Sequence, residues 1–587
     1  MNDGVGRSPT RPTHLGDFAV RPRVLLIAAI ATAVGGAAAV AAFCLLRLIG
    51  VITNLVFYQR WGTALVAPGA AHHPWWLIMT APAAGGLVIG FMARYGSDKI
   101  RGHGIPEAIE AILIRGSRIV PKVAVLKPVS AAISIGSGGP FGAEGPIIMT
   151  GGAIGSILAQ SLKLTADERK TLLVAGAAGG MAATFNAPLA SILLAVELLL
   201  FEWRPRSLIP VAVAVTVSTI CRGFLLGTSP VFPVPSPPSV GPVSEVLALV
   251  PGVTGGLLGI VATSLVYLAE DGFRRLPVHW MWWPAIGGLI VGLGGLVEPR
   301  ALGVGYDVID QLLTGHATAS LIVGILVVKT SIWSISLGSG TSGGVLAPVF
   351  MIGAALGAAE GVLLPHAAAG FWATCGLAAV VGGVLRAPLT GILFTLELTH
   401  AWNDLLALVV AAAAAYTVSV LLLKRSVLTE KIARRRLHLT QEYTTDPLET
   451  FFAHEVMAHD PVMLRGTDTR MWTLPRTHHG TLYPVVDDAG LMIGVTTRRA
   501  LLASTGRTVG DATKPTRSVS YTDDTLRAVA NCLASHRVTQ APVVDRDEPR
   551  RVVGIIKLAH LLHARRRDLH EEHHRERLLP KRRDRSA

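Results

Sequence analysis

Three glycine-rich segments stand at the beginnings of apolar runs in this 587-residue sequence: GHGIPEAIEAIL (102–113), GSGGPFGAEGP (136–146) and GSGTSGGVLAP (338–348). Each combines glycines, which let the backbone bend, with a proline suited to the first turn of a helix. The free N–H groups of a helix start, aided by the helix dipole, form a site for an anion. Three such starts that converge would hold an anion weakly enough to release it. The alternative is that these glycines serve only close packing between helices.

A single carboxylate, Glu144, lies inside the second segment between Ala143 and Gly145. A carboxylate within an apolar region of a membrane is costly, and such a residue indicates a functional site. We expect Glu144 to act as a gate, because a tethered negative charge competes with the anion and leaves when it is protonated. The alternative is an acid in a solvated turn.

Four further acids lie beside apolar helices. Glu197 and Glu397 end matching apolar stretches, and this repetition favours a structural role such as capping or packing a helix end. Glu107 and Glu110 follow Pro106 in the first turns of a predicted helix. Acidic side chains there suit the positive end of the helix dipole, so these two are also interpreted as structural.

The elements that must position these residues are membrane helices. Only 16% of the residues are charged, against roughly 25% in an average soluble protein. Residues 24–46 contain no charge, over a length that spans a hydrocarbon core of ~30 Å. The apolar runs at 123–135 and 346–358 are too short to cross alone, which is typical of helices that stop inside a membrane to build a site. We therefore expect an all-α, multi-spanning membrane domain with broken helices.

This membrane domain contains an internal repeat. NAPLASILLAVEL (186–198) matches RAPLTGILFTLEL (386–398), and the two GSG segments are separated by nearly the same distance. Two motif pairs at one offset indicate two structural repeats of about 200 residues. In transporters such repeats often pack with inverted topology and place the site at their interface, and we expect the same arrangement here.

A polar region with a second repeat follows Arg436. YPVVDDAGLMIGVTT (483–497) and APVVDRDEPRRVVGIIK (541–557) share a proline-led strand, an acidic turn and a second strand that contains glycine. This pattern predicts a soluble α/β tandem. The predicted domains are an N-terminal arm (1–22), the membrane domain (23–436), a linker (437–452), two halves of the tandem (453–507 and 508–563) and a basic tail (564–587).

Charge and composition exclude several classes of function. The net charge of +14 is concentrated at both ends and near residues 424–436, and basic flanks mark the cytoplasmic side. We therefore place both termini in the cytoplasm. No aromatic residues interleave with the basic tail, so nucleic-acid binding is not expected. The scattered cysteines form no metal-binding pattern, and no nucleophile–base set occurs in the apolar region, so we expect no enzyme, metal or cofactor.

At these motifs the sequence resembles the ClC family of chloride channels and transporters. GHGIP is similar to the family's GSGIP, GAEGP to its GREGP, and GGVLAP to its GxFxP, while the soluble tandem resembles a pair of CBS domains. The resemblance extends from residue 23 to about 563. It implies a homodimer in the plasma membrane with one pathway for chloride or a similar small anion per subunit. It implies that Glu144 is the external gate and that the anion is bound near Gly104, Ile105, Gly145, Pro146, Ile147, Val345 and Leu346.

Three departures from the family pattern bear on function. His103 replaces the serine whose hydroxyl contacts the anion; we expect the imidazole to contact it, and the alternative is that the ring turns away. Leu428 replaces a tyrosine whose hydroxyl contacts the same anion in the family. Leu198 replaces a glutamate that proton-coupled members often carry, and leucine holds no proton. This favours a passive channel, with chloride/proton exchange through Glu197 or Glu202 kept as the alternative.

The soluble tandem departs from nucleotide-binding CBS pairs as well. In those pairs an aspartate near the end of each unit holds the ribose, whereas the matching positions here are Ala500 and His560. Adenine-nucleotide binding is therefore kept only as a hypothesis, and the other interpretation is a module that stabilises the dimer.

Overall fold

The computed structural model describes residues 22–114, 116–234, 241–435, 437, 447–469 and 482–575. They form two compact units that divide near residue 441, and each is described by itself. Nearly all of the predicted arm (1–22), most of the predicted linker (437–452) and residues 576–587 of the predicted tail lie outside the described residues.

Helices are the regular secondary structure of the first unit among its described residues, and loops connect them. Its α-helices are α1 (Arg23–Tyr58), α2 (Trp75–Phe91), α3 (Ile105–Ile114), α4 (Pro121–Gly136), α5 (Glu144–Ser161), α6 (Ala166–Phe185), α7 (Pro188–Leu194), α8 (Pro205–Leu225), α9 (Pro242–Leu247), α10 (Leu249–Arg275), α11 (Trp283–Val297), α12 (Tyr306–Leu313), α13 (Ala319–Gly324), α14 (Thr330–Gly338), α15 (Leu346–Glu360), α16 (Phe371–Leu385), α17 (Pro388–Thr399), α18 (Leu405–Leu422) and α19 (Val427–Arg434). Short π-helical stretches follow α2 (Met92–Gly96) and α7 (Ala195–Leu200) and precede α14 (Ile325–Lys329).

Within the described residues, seven helical stretches are long and apolar enough to cross a membrane. Others, such as α15 and α16, are apolar but only 15 residues long. At 1.5 Å per residue, a helix of this length spans roughly 23 Å, less than a hydrocarbon core of ~30 Å. The predicted multi-spanning α-fold with broken helices is confirmed.

The order of packing repeats along this unit. Helix α6 packs against α5 and α8, and in the same way α16 packs against α15 and α18. Each set is completed by a long helix, α1 in the first half and α10 in the second. Because the same helix order recurs with the same neighbours, the predicted pair of repeats is confirmed.

The two repeats contact each other reciprocally. The Gly102 N–H donates to the carbonyl oxygen of Gly340 (3.4 Å), and the Gly303 N–H donates to that of Gly138 (3.0 Å). Gly142 and Gly344 exchange backbone hydrogen bonds in both directions. A contact from one half that returns at the equivalent position of the other half is the pattern of a two-fold axis, as expected for inverted repeats.

The second unit contains two small sheets and short helices. The strands are β1 (Ala458–His459), β2 (Leu464–Arg465), β3 (Leu482–Val486), β4 (Met492–Thr497), β5 (Ser520–Tyr521), β6 (Gln540–Val544) and β7 (Val552–Lys557). The helices are α20 (Pro447–Thr450), α21 (Ala453–Val456), α22 (Arg498–Ala503), α23 (Leu526–His536) and α24 (Leu558–Arg575). The sheet orders are β2-β3-β4 and β1-β7-β6-β5, which confirms the predicted α/β tandem.

The two halves of this tandem exchange their first strands. Ala458 precedes the first sheet in sequence but pairs with Ile555 in the second. In return, Lys514 bridges to Val495 in the first sheet. The division between the sheets therefore does not follow the chain boundary at 507/508, because backbone pairing joins segments from both halves.

Candidate anion pathway

The three glycine-rich segments meet in the interior of the first unit. Gly102 forms a bridge with Ser342, and Gly142 forms one with Gly344. These bridges bring together the starts of α3, α5 and α15, each preceded by one of the segments. The structure therefore gathers the free N–H groups of three helix starts in one buried place, which is the electrostatic environment that attracts an anion.

Glu144 is the first residue of α5, and its carboxylate points at the start of α15. The side chain is buried, and Oε1 accepts a hydrogen bond from the backbone N–H of Ala347 (3.1 Å). Among the described residues, Oε2 has no hydrogen-bond partner and no cationic nitrogen lies within 4 Å of the carboxylate. The carboxylate is thus held by a helix start rather than by a counter-ion, where a free anion would also bind.

Glycine is required beside this carboxylate. A Cβ added at Gly142 would lie 1.9 Å from Oε2 of Glu144, and one added at Gly344 would lie 2.2 Å from it. Both distances are far inside van der Waals contact. The side chain of Glu144 therefore occupies space that exists only because both neighbours lack a side chain.

His103 lies in the bend before α3 and is buried. Its Nδ1 has no hydrogen-bond partner among the described residues, so one polar atom of the ring remains free in the protein interior. Its backbone oxygen lies 1.7 Å from the position that a Cβ of Gly145 would take. The first and second segments can pack this closely only because residue 145 is glycine.

Two buried lysines, missed by the sequence analysis, hold the bends in place. Lys127 Nζ donates to the backbone oxygens of Ile100 (2.8 Å) and Gly102 (2.6 Å) and lies 3.2 Å from Ser342 Oγ. Lys329 Nζ donates to the backbone oxygens of two residues in the second repeat, at 2.8 Å each: Ala301 and Gly303. We call each arrangement a lysine clamp.

The clamps carried a signal that the sequence analysis did not use. Each lysine is an isolated charge in an apolar run, which by itself indicates a special role in a membrane. The two positions, 127 and 329, also follow the repeat offset found for the glycine-rich segments. Aligning the charged residues of the repeats, and not only their glycines and prolines, would have found them.

The predicted structural acids of α3 form ion pairs. Glu107 accepts a hydrogen bond from the Gly104 N–H (3.1 Å) and pairs with Lys431 (3.2 Å) and Arg435 (2.7 Å). Glu110 pairs with Lys99 (3.0 Å) and with Arg435. The structural interpretation of both acids is confirmed, since they tie the start of α3 to α19.

Glu197 and Glu397 cap each other's repeats. The Glu197 carboxylate accepts from the N–H (2.9 Å) and the hydroxyl (2.5 Å) of Thr390 in the first turn of α17. The Glu397 carboxylate accepts from the N–H groups of Leu189 (2.9 Å) and Ala190 (2.8 Å) in the first turn of α7. The capping interpretation is confirmed, with the added finding that each glutamate caps the helix of the opposite repeat.

Glu202 lies just beyond the π-helical stretch that follows α7, where the chain reaches solvent. Its Oε1 accepts from the hydroxyl of Ser207 (2.7 Å) and lies 3.7 Å from Lys170 Nζ. It lines a cavity of about 430 Å³ together with Arg23 at the start of α1. Leu198, four residues earlier, is fully buried. Of the two acids considered for proton transfer, Glu202 lines this cavity, whereas the carboxylate of Glu197 caps a helix.

The remaining site residues are buried and apolar. Leu428 lies in the first turn of α19, which Ser426 caps and which packs against α3. It shares one hydrophobic cluster with Ile105, Ile147, Val345 and Leu346. Their backbone groups belong to the helix starts at the site, while the side chains seal it from solvent.

In the second unit, the positions compared with ribose-binding aspartates have local roles. The Ala500 N–H donates to Thr497 Oγ1 (3.2 Å), which caps α22. His560 Nδ1 accepts from the Lys557 N–H (3.4 Å) at the start of α24. Burial lowers the pKa of His560 below its usual value, in agreement with a neutral ring that accepts this bond.

Comparison with known proteins gives a consistent result. Residues 85–420 match the family described as voltage gated chloride channel, and residues 509–567 match the CBS domain family. The chain is 31% identical over 374 residues to a putative chloride channel protein ClcB-like of Ralstonia nicotianae, covering 62% of this chain and 87% of that protein. It is 33% identical over 359 residues to the H(+)/Cl(-) exchange transporter ClcA of Salmonella paratyphi B, covering 57% of this chain and 74% of that protein.

Solved structures share the fold. A slow cyanobacterial Cl−/H+ antiporter aligns with a TM-score of 0.60 at 23% identity, covering 71% of this chain and 99% of that structure. A eukaryotic CLC transporter aligns with a TM-score of 0.59 at 19% identity, covering 91% of this chain and 97% of that structure. Because the chloride-channel family match covers more than half of the chain, this protein belongs to the ClC family of anion transport proteins.

Proposed function

We propose that this protein exchanges chloride for protons across the plasma membrane and that both ions use the Glu144 site. The observation that carries the proposal is the carboxylate of Glu144 bound to the N–H of Ala347 at a helix start. An anion that enters this place competes with the carboxylate for the same donor. The name of the relative from Salmonella paratyphi B, an H(+)/Cl(-) exchange transporter, supports exchange over the passive conduction that Leu198 favours.

The exchange follows from this competition. When chloride takes the helix start, the carboxylate must leave it. A buried carboxylate with no counter-ion is costly, so the displaced group is stabilised by taking up a proton. When the proton is lost, the carboxylate returns and expels the anion. Each anion that passes is thereby linked to the protonation of one side chain.

The proposed proton route begins at Glu202. Its carboxylate borders a solvent-connected cavity and is positioned by Ser207, whereas Glu197 is occupied as a helix cap. A proton that passes from Glu202 to Glu144 must travel on water beside Leu198, because a hydrocarbon side chain holds no proton. This makes Leu198 a slow point of the route rather than a block.

The proposed anion contacts are the backbone at the three helix starts and the ring of His103, whose Nδ1 is free among the described residues. Leu428 contributes no hydroxyl, so the histidine replaces in part the polar contacts expected on this side. The proposed assembly is a homodimer with both termini in the cytoplasm, as the resemblance and the basic flanks predict.

Liposomes that contain the purified protein test the proposal. With the membrane voltage held by a potassium ionophore, an outward chloride gradient should drive proton uptake against its own gradient. Glu144→Gln should abolish this uptake, because an amide takes up no proton. Glu202→Gln should reduce it at least ~10-fold if it removes the proton acceptor at the entrance.

Asp167→Asn is the matched control, since Asp167 lines the same cavity with a largely exposed side chain. It should leave proton uptake unchanged. Chloride flux without any coupled proton movement in the wild-type protein would contradict exchange and establish a passive channel. Equal losses in Glu202→Gln and Asp167→Asn would contradict the specific role of Glu202.

Nucleotide binding to the second unit stays a hypothesis. The local roles of Ala500 and His560 leave no acid at the two ribose positions. Calorimetric titration of the full chain with ATP and AMP tests it, and flat traces for both would contradict it.

A further inference from the structure

A cavity of about 630 Å³ opens where the end of α10, the start of α11 and the end of α19 meet. It is lined by six cationic side chains: Lys99, Arg101, Arg274, Lys431, Arg434 and Arg435. Three acids, Asp98, Glu110 and Glu270, also line it. The cavity is far larger than a chloride ion needs and lies in the range of sites that hold organic ligands.

Most of these cations already have partners. Arg434 pairs with Asp271 (2.5 Å) and with Glu430 (3.2 Å). Arg435 and Lys431 share Glu107, and Arg274 pairs with Glu270. These pairs fix the shape of the cavity wall and neutralise much of its charge.

Arg101 differs from the other cations. Its guanidinium lies 4.7 Å from the ring centre of Trp280 and 5.7 Å from that of Trp283. Its Nε atom is buried and has no hydrogen-bond partner among the described residues, and no carboxylate there lies within ion-pair distance. The two indoles contact the guanidinium by cation–π interaction, and this contact leaves the Nε–H donor unsatisfied.

A positioned guanidinium with unused donors has a specific chemical complement. Its planar fork matches the oxygens of a phosphate, to which it donates two parallel hydrogen bonds. A monatomic anion cannot use this geometry. The remaining charge and volume of the cavity therefore point to a phosphate group attached to a larger body.

The wall of this cavity continues into exposed aromatic side chains. Trp282 lies between the two cavity tryptophans in sequence and contacts Phe91, which stacks on Tyr95. All three are exposed, with Tyr95 at 74%. Exposed aromatic side chains of this kind anchor a membrane protein at the level of the lipid headgroups, and basic pockets between helices bind those headgroups.

The floor of the cavity reaches the anion pathway. Arg101 directly precedes Gly102 and His103 in the chain. The Nζ atom of Lys431 lies 2.3 Å from the position that a Cβ on Gly102 would take. A ligand on Arg101 would thus lie next to the bend that carries His103.

We propose that this cavity binds a phosphate-bearing ligand through Arg101 and that the bound ligand restricts the access of anions to His103. The phosphate comes either from the headgroup of an anionic lipid at the aromatic rim or from a free phosphate in solution. The proposal uses the anion pathway of the family and is independent of proton coupling.

The full chain in neutral detergent micelles tests binding by calorimetry with two probes. Dioctanoyl phosphatidylglycerol represents the headgroup, and pyrophosphate represents a free phosphate. Saturable binding of at least one probe is expected, and Arg101→Gln should weaken it at least ~10-fold by removing the bidentate contact. Chloride efflux from liposomes should slow when the same probe is added, and this effect should be lost in Arg101→Gln.

Arg274→Gln is the matched control, because it removes the same charge from the same cavity but from a guanidinium paired with Glu270. Its binding should stay within about 3-fold of the wild type, as expected for a partly exposed ion pair. Arg101→Lys keeps the positive charge but removes the planar guanidinium. Its affinity for the probe should lie between those of the wild type and Arg101→Gln. This variant replaces Arg101→Gln if that protein does not fold.

The possible outcomes distinguish a lipid headgroup from a soluble phosphate, and they include results that overturn the proposal. Binding of the lipid probe alone identifies a headgroup, and binding of pyrophosphate alone identifies a soluble phosphate. Absence of saturable binding for both probes overturns the proposal. So do equal losses in Arg101→Gln and Arg274→Gln, and binding that leaves chloride efflux unchanged. None of these readouts measures protons, so failure here leaves chloride/proton exchange untouched.

Discussion

The loops before α3 and α12 occupy equivalent places in the two repeats, and their backbones are held in the same way. Lys127 binds the carbonyl oxygens of Ile100 and Gly102, and Lys329 binds those of two residues in the other loop, Ala301 and Gly303. Both loops carry glycines with positive φ at the same two positions, 102 and 104 in one and 303 and 305 in the other. The scaffold of the site is therefore built twice.

The side chains on this scaffold are not repeated. The first loop carries His103 and lies beside cationic groups of α19, whereas the second carries Val304 and lines a cavity of about 90 Å³ with Tyr306 and Asp307. Lys127 also contacts Ser342 of the other repeat, whereas the described hydrogen bonds of Lys329 are the two to the loop. The two repeats therefore share the backbone that exposes helix starts, and they differ in the few side chains that line it.

The largest effect is expected from a methyl group at residue 145, where the first repeat has glycine and the second repeat has alanine. Gly145 of α5 is equivalent to Ala347 of α15 at the repeat offset of 202. In Gly145→Ala the new Cβ would clash with the carbonyl oxygen of His103, at 1.7 Å. Displacement of the loop by ~1 Å should lower chloride flux in liposomes by roughly 10²-fold.

Ala347→Gly is the matched change in the other repeat. It keeps the N–H that binds Glu144 and should cost no more than about 1 kcal/mol of stability. Flux should therefore stay close to that of the wild type. Normal flux in Gly145→Ala would show that the two segments do not need their close approach.

Removing the lysine clamps tests whether the two scaffolds are equally important. Lys127→Met and Lys329→Met each leave two buried carbonyl oxygens without a donor, which costs about 2–4 kcal/mol. Both variants should unfold at lower temperature in detergent. Lys127→Met should lose more, because Ser342 also loses a contact.

Lys99→Met provides the control for the clamps, since Lys99 is a partly exposed lysine with a single ion pair. Its midpoint of thermal unfolding should change little, as exposed pairs contribute about 0–1 kcal/mol. A larger loss in Lys99→Met than in either clamp variant would contradict the role of the clamps.

Removing the helix caps formed by Glu197 and Glu397 should have a smaller effect on stability than removing the lysine clamps. Glu197→Ala and Glu397→Ala should each lower the free energy of unfolding by about 1–2 kcal/mol, as loss of a helix cap does. Glu197→Ala should have the larger effect because it also binds the Thr390 hydroxyl. Glu548→Ala, an exposed acid of the second unit, is the reference. Thermal unfolding midpoints equal to that of Glu548→Ala would contradict capping across the repeats.

The smallest expected effect concerns anion preference. His103→Ser should change the ratio of chloride to nitrate flux by about 3–10-fold, because the size and the donor at the site both change. Val304→Ser makes the equivalent change in the other loop and should leave the ratio unchanged. An unchanged ratio in His103→Ser would remove the imidazole from the pathway.

Local signals in the sequence predicted the kind of element in each unit. Hydropathy indicated the long helix α1, and the short apolar runs at 123–135 and 346–358 correspond to α4 and α15. Proline and glycine marked the starts of α3, α5 and α15, and Glu144 stood out as a carboxylate where charge is costly. The strands β3, β4, β6 and β7 were readable from two copies of one pattern.

Pairing between distant residues was not readable in this way. The repeated glutamates suggested a cap, but only the structure showed that Glu197 binds α17 and Glu397 binds α7. The exchange of first strands in the second unit has the same cause. In each case the partner lies far along the chain, and the sequence carries no local mark of which carbonyl or N–H it will meet.

By itself, the sequence determined the membrane helices, the two repeats, the three glycine-rich helix starts and the isolated carboxylate of Glu144, because each depends on composition or spacing within a few turns. Only the tertiary structure decided that two lysines clamp the loops, that each repeat caps the other and that Arg101 contacts two indoles while its Nε–H has no partner among the described residues. These features depend on which groups remain unsatisfied after the chain has folded, and that is settled by long-range packing.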